Sequence, residues 1–524
     1  MSTTFGVCTN LPSQCAKAAA KEQIPITSAD SVCPECGSRL QFVKPTATEK
    51  AKSFIRPALA GVGIVIGLFL LIGLYGALSG GDKTTSGGGA APGSASDYYL
   101  SLSGSNTVGS SLAPELVKAW LAAKGATNIR EEERKITGKP APEKIISARL
   151  EDKDIQVIVR AHGSATAFTD LKSGASDIGM ASRPVKDAEA ESLASMGDMR
   201  SVSNEYVLGL DGVAVIVPAS NETPTLSRHE LRRIFSGEVT NWSEVGGPDR
   251  PIRLYARNDE SGTYDTFKEL VLKDSPLAAA KRFEDSAQLE EAVSRDPGGV
   301  GFVGLPYVKT TRAVAVSDGE SSALEPTRFS IKTENYPLSR RLFLYSSSDP
   351  TNPAVKDFIT FALSARGQAI VRQAHFVDLD LNQIVSREEV STRGGCRLSS
   401  RWRGDPNAYC RLRNGAEQLG TTFRFRTGSA ELDTRASQDL RRVLERMERS
   451  TDKTIVLAGF ADSSGEYTAN CALSLSRAKS IAKALGTLGL QIDNTVGFCS
   501  ELPVRNNGTP EGRDQNRRVE IFLK

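Results

Sequence analysis

A run of 22 residues from Pro57 to Leu78, PALAGVGIVIGLFLLIGLYGAL, carries no charged side chain. At about 1.5 Å per helical residue it crosses the ~30 Å hydrocarbon layer of a bilayer, so it predicts one transmembrane helix over 57–78. It is too long, and too far along the chain, for the apolar region of a secretory signal. Lys44, Lys50, Lys52 and Arg56 precede it, whereas Asp82 and Lys83 cancel each other beyond it. The positive-inside bias then keeps the N-terminus cytoplasmic, which predicts a single-pass inner-membrane protein whose bulk is periplasmic.

The remaining composition narrows the function. A total of 65 Lys+Arg against 62 Asp+Glu leaves a formal charge of +3 on 524 residues, too weak a field to argue for nucleic acid as partner. His162, His229 and His375 lie far apart, without metal-ligand spacing or the company of a catalytic triad, so an enzyme is disfavoured. The cysteines divide at the span, with Cys8, Cys15, Cys33 and Cys36 before it and Cys396, Cys410, Cys471 and Cys499 after it. The first four lie in a reducing compartment and include the word CPECG, which suits tetrahedral thiolate coordination; they predict a zinc-ribbon-like segment over 1–45 with structural zinc as cofactor. The last four are expected to pair as disulfides, with Cys396–Cys410 and Cys471–Cys499 the default connectivity. Residues 79–97 read as a Gly/Ser-rich linker. The stretch 386–419, with Arg393, Arg397, Arg401, Arg403, Arg411 and Arg413, reads as a basic linker.

Between residues 98 and 385 short apolar runs alternate with helical patterns, as in an α/β domain. Three small hydroxyl-rich turns there each open a helix: one around Ser105 and Thr107, one at His162 to Thr166, and one at Ser261 to Thr263. Unpaired N–H groups and the positive end of the helix dipole make such turns acceptors of anions when several face one point, although each alone is no more than an N-cap. The words GSNTVG, HGSATAF, SDIGMASRPV, IFSGEVTNW, ARNDESGTYDTF and GGVGFVG resemble the periplasmic phosphate-binding protein family along nearly the whole region. That resemblance implies two α/β lobes with hinge strands, and an oxyanion closed between them by Thr107, the Val108 amide, Ser164, Arg257, Ser261, Gly262 and Thr263. Asp259 would orient Arg257 from beside it. One departure concerns selectivity: Arg183 follows Ser182 where relatives place an aspartate that accepts a hydrogen bond from the monoprotonated ligand, so the identity of the anion stays open.

From 420 to 524 the pattern becomes a small α/β sandwich. Leu440, Val443, Leu444 and Met447 recur at helical spacing, and Thr454 to Phe460 reads as a strand. Asp462 lies in the loop leaving that strand, and Asn470 and Arg477 lie on the following helix. A carboxylate and a guanidinium held apart can grip a zwitterion, although a simple Asp462–Arg477 salt bridge explains the pair equally well. The register Asp462, Gly465, Asn470, Arg477 and the closing word GRDQNRRVEIFL resemble the OmpA-like peptidoglycan-binding domain. In that family the Asp and Arg hold the diaminopimelate of the peptide stem, with Asn assisting. Phe460, Ala461 and Arg426 depart from the family's usual words.

The chain thus reads as multidomain α/β, with a zinc ribbon, one span, a two-lobed oxyanion-binding domain and a wall-binding domain. The expected partners are phosphate or a related oxyanion, the peptidoglycan stem and the membrane, with an ABC transporter or a cytoplasmic signalling partner beyond them. The alternative is a structural tether from membrane to wall whose solute domain is vestigial or binds protein.

Overall fold

The computed structural model describes residues 4–8, 24–26, 40–43, 98–135, 142–223, 225–259, 261–382, 395–425 and 431–524, in two compact units, Met1–Gly88 and Gly89–Lys524. In the first unit, β1 (Thr4–Cys8) pairs antiparallel with β2 (Ile24–Ile26) and β3 (Leu40–Val43). Cys15, Cys33, Cys36 and the Cys8 side chain lie outside the described residues, as do the expected span 57–78 and the linker 79–97. Among the described residues, no helix is long and apolar enough to cross a membrane.

The second unit opens with β4 (Leu100–Gly104), a helical stretch that becomes the helix Ala113–Ala123, β5 (Thr127–Arg134), β6 (Glu143–Leu150), β7 (Lys153–Ala161), the helix Ser164–Ser173 and β8 (Ile178–Ala181). There follow β9 (Glu205–Val217), β10 (Thr225–Ser227), β11 (Arg253–Arg257), β12 (Lys281–Phe283), β13 (Gly299–Gly304), β14 (Arg312–Ala313), β15 (Ala315–Ser317) and β16 (Ser339–Tyr345). β10 and β15 pair parallel as a separate two-stranded sheet, and the other strands form one sheet in the order β12-β11-β13-β9-β16-β8-β4-β7-β6-β5, with β14 also paired to β9. The 13-residue β9 passes through its middle, pairing by Glu205–Gly212 with β16 and by Val213–Ile216 with β13. Two lobes therefore share one curled sheet. The sequence of β9, EYVLGLDGVAVIV, is apolar on both faces because both are covered. At its crossing point Gly212 admits Ile331, whose Cδ1 would lie 2.2 Å from any added Cβ.

The C-terminal sheet has the order β17-β20-β18-β19, built from β17 (Glu417–Arg424), β18 (Ile455–Gly459), β19 (Ile492–Gly497) and β20 (Arg518–Leu523). Strand alternation divides its faces. Leu457 and Ile521 pack with Val443, Ile481 and Leu485 of the helices Thr434–Met447 and Tyr467–Thr487, whereas Val456, Phe460 and Phe522 face the opposite way. Against that second face lie Leu398 and Tyr409. Part of the stretch expected to be a basic linker is thus folded onto the sheet: residues 408–415 are helical, and the Cys396–Cys410 disulfide closes the segment. Its few apolar side chains are scattered among arginines, which hides the face they share. The second disulfide joins Cys471 to Cys499, so both expected pairings are present.

Candidate functional site

Each of the three hydroxyl-bearing turns follows a strand of the large sheet. Gly104 ends β4 at φ 142°, where a Cβ would stand 1.9 Å from the Met180 carbonyl oxygen, so the chain can turn there only at glycine. The Gly104 carbonyl accepts the Gly163 N–H at 2.8 Å, which ties the first turn to the second. Ser164 opens the next helix; its Oγ accepts the Ser182 N–H at 3.1 Å and lies 3.2 Å from the Ser182 Oγ. In the third turn Ser261 caps the helix Gly262–Phe267 by accepting the Tyr264 N–H. The first and third turns touch across the cleft: Thr107 Oγ1 donates to the Gly262 carbonyl at 3.3 Å.

The point they surround holds Arg340 of β16. Its Nη2 donates to Thr107 Oγ1 at 2.6 Å and to the Gly262 carbonyl at 2.9 Å, and its Nη1 donates to Ser182 Oγ at 3.0 Å. The side chain is buried, with carboxylate oxygens of Asp211 and Glu269 at 3.5 and 3.6 Å. Burial pushes the Glu269 and Asp265 carboxyls up while Arg340 pulls them down, and burial prevails. Arg340 thus stands at the meeting of the turns with carboxylates of Asp211 and Glu269 beside it.

Thr107, Ser164, Ser261 and Gly262 are thus brought together, with Val108 and Thr263 in the same first helical turns. Arg257 and Asp259 are placed differently from expectation. Arg257 Nη2 donates to the Glu284 carbonyl at 2.6 Å and its Nη1 bonds Ser286, while the exposed Asp259 pairs with Arg282. Asp259 is paired with Arg282 rather than with Arg257. Arg183 forks onto Glu189 at 2.8 and 2.7 Å and lies over the Phe168 ring, so it is committed to its own lobe. Sequence reasoning missed Arg340, Ser182 and Asp211 as site residues. A signal existed for Arg340, because it shares strand alternation with the buried Leu342 and Leu344, and an inward charge on a core strand needs a partner. A cavity of about 1380 Å³ opens beside Ser182 and Arg340, and its far wall includes Phe425, Asp433 and Asp514 of the C-terminal domain.

In that domain the loop after β18 presents Asp462, whose Oδ2 accepts Arg517 Nη1 and whose Oδ1 accepts the Ser464 N–H, both at 2.8 Å. Burial raises this carboxyl, but Arg517 and Ser464 hold it below the ordinary carboxylate range. Asn470 is buried near the start of the helix Tyr467–Thr487. Arg477 lies two turns on, 5.6 Å from the Phe425 ring centre, and its Nη1 has no hydrogen-bond partner among the described residues. Asp462 is satisfied by Arg517 rather than by Arg477, so a guanidinium with donors to spare and a carboxylate stand side by side. Arg426 lies outside the described residues.

Comparison with known proteins assigns both domains. The PBP superfamily domain matches residues 122–366, and the OmpA family matches residues 424–517. The phosphate-binding protein PstS of Staphylococcus haemolyticus is 32% identical over 216 residues, covering 40% of this chain and 67% of its own. Protein SphX of Synechococcus elongatus is 34% identical over 241 residues, covering 44% and 70%. Among solved structures, an ABC-type phosphate transport receptor from Vibrio cholerae aligns over 53% of this chain and 99% of its own, with 24% identity and a TM-score of 0.41.

Proposed function

The chain belongs to the family of phosphate-binding proteins, and on that premise we propose that it binds phosphate or a like oxyanion in the cleft and peptidoglycan at its C-terminal domain. The observation that carries the first half is the meeting of Thr107, Ser164 with Ser182, and Gly262 around the Arg340 guanidinium. Helix N-termini and hydroxyls would replace the water around the anion, and Arg340 would supply the charge-assisted bonds. Val108, Ser261 and Thr263 would complete the donor set from the same turns; Arg257 would join only by leaving Ser286 and Glu284. With Arg183 turned to Glu189, position 183 supplies no carboxylate to test whether the anion is protonated. No bond-making chemistry is proposed.

For the second half, Asp462 and Arg477 would take the ammonium and carboxylate of the diaminopimelate stem, with Asn470 assisting. We further propose a single membrane span over 57–78 with a cytoplasmic zinc ribbon held by Cys8, Cys15, Cys33 and Cys36. This arrangement would fasten an oxyanion receptor to both membrane and wall, for uptake through an ABC transporter or for signalling inward. Titration calorimetry of the whole chain with phosphate, arsenate and sulfate tests the receptor; heat from none of the three would remove it.

One observation favours the tether instead. Arg340 already bonds a carbonyl and two hydroxyls at the point of convergence, as in a lobe pair that closes on itself. Under that reading murein binding persists and oxyanion binding does not.

A further inference from the structure

The C-terminal domain does not hang free of the binding lobes; a bonded interface joins them. Thr434, the first residue of the helix Thr434–Met447, donates its hydroxyl to Glu205 at the first-lobe end of β9. Glu205 in turn accepts the Tyr345 hydroxyl at 2.8 Å, and the Tyr345 oxygen accepts the Val185 N–H at 3.1 Å, so this contact is anchored within the first lobe. Asp433, the N-cap of the same helix, takes Arg341 Nη2 of β16 at 2.8 Å. On the other side Arg505 donates to three consecutive carbonyls, those of Glu334 at 2.9 Å, Asn335 at 2.6 Å and Tyr336 at 2.5 Å. The Asn506 N–H reaches Asp318, which follows β15 of the second lobe, at 3.4 Å. Between the two ends the buried Glu334 carboxylate collects Arg341, Arg424 and Arg435.

We propose that the C-terminal domain is a clamp on the hinge: bonded to both lobes at once, it holds them closed, and the cleft opens only when one end of the clamp lets go. The geometry fits because the bonded positions lie on both sides of the Gly212 crossing, while the turns they would hold together, at Thr107 and Gly262, are in contact. A third body bound across a hinge favours whichever lobe arrangement satisfies all its contacts, and that preference is a coupling free energy. The oxyanion part of the proposal rests on the receptor reading above; the clamp itself does not.

The test uses the full chain with Thr434→Val, which removes the hydroxyl bonded to Glu205 at constant shape, and Arg505→Met, which removes the three carbonyl bonds on the other side. Hydrogen exchange is followed in residues 103–112 and 257–267, which lie in neither contact. Each variant should speed exchange there about tenfold, and the double variant should do no more than the faster single one, since loosening either end lets the lobes part. Arg505→Met could unfold the domain; Thr434→Val with an unchanged melting profile then decides alone. Exchange in the two cleft segments within twofold of the parent, or effects that multiply in the double variant, would overturn the clamp. Stopped-flow phosphate release should accelerate in parallel. Faster cleft exchange in the variants, with a parent chain that binds no phosphate, would leave the clamp standing and remove the receptor.

Discussion

The Nη2 of Arg340 donates at 2.9 Å to the carbonyl oxygen of Gly262, a residue of the opposing turn. This bond makes Arg340 the charge at the site's centre. Arg340→Met should weaken phosphate binding by roughly 10- to 100-fold, the range of a lost charge-assisted hydrogen bond. Arg257→Met, whose parent side chain is held by Ser286 and Glu284, should change it less than threefold. Calorimetry on both variants checks the order; an inverted order would return the role to Arg257.

Gly262 tests closure without touching charge. A Cβ there would lie 2.5 Å from Thr107 Oγ1 and 2.7 Å from Thr107 Cα, so Gly262→Ala must push the two turns apart. The variant should keep its melting temperature within a few degrees while phosphate release speeds by about tenfold or more, read by stopped flow.

Glu334 sets an acid limit on the interface. Burial alone would raise its carboxyl, but Arg341, Arg435 and Arg424 hold it well below the ordinary carboxylate range. A depressed carboxyl contributes stability that is fully present above the ordinary value of 4.5 and is lost as pH falls through the folded value. Denaturant midpoints should therefore fall below about pH 4.5. Glu334→Gln should flatten that dependence and cost about 3–5 kcal/mol at neutral pH, because the buried Arg424 loses its carboxylate while Arg341 and Arg435 keep only Asp433 and Asp439.

The folded arm predicts a redox-dependent cleavage. With Cys396 joined to Cys410 and Tyr409 buried, trypsin should spare Arg397 to Arg413 in oxidising buffer and cut there after reduction. Equal cutting in both buffers would mean the arm is not held.

For the proposed peptidoglycan site, Arg477→Ala and Asp462→Ala should each reduce murein co-sedimentation about tenfold, with oxyanion heats unchanged. If both activities fall together, the two sites are not separate.

The order of the two matched domains and the three turns could be read from the sequence, the turns because each carries its own local chemistry: a glycine where the backbone bends and a hydroxyl where a helix begins. Which guanidinium meets them could not. Arg257 lies four residues before Ser261 and Arg340 lies far along the chain, and only the pairing of β16 with β9 carries the latter into the cleft. The helix Thr434–Met447 was readable as amphipathic through Val443 and Met447, yet Arg435 and Asp439 on its polar side are also buried. A helix pattern tells water from core; it does not tell water from a neighbouring domain that offers Glu334.

The cavity beside Ser182 and Arg340 has a wall built by a different domain from the one that holds the site. A solute that enters the site by that cavity passes Phe425, Asp433 and Asp514 of the OmpA-family domain. The width of that entrance is set by how the two domains pack, so a substitution at Asp433 or Asp514 alters access to Arg340 without touching the residues around it.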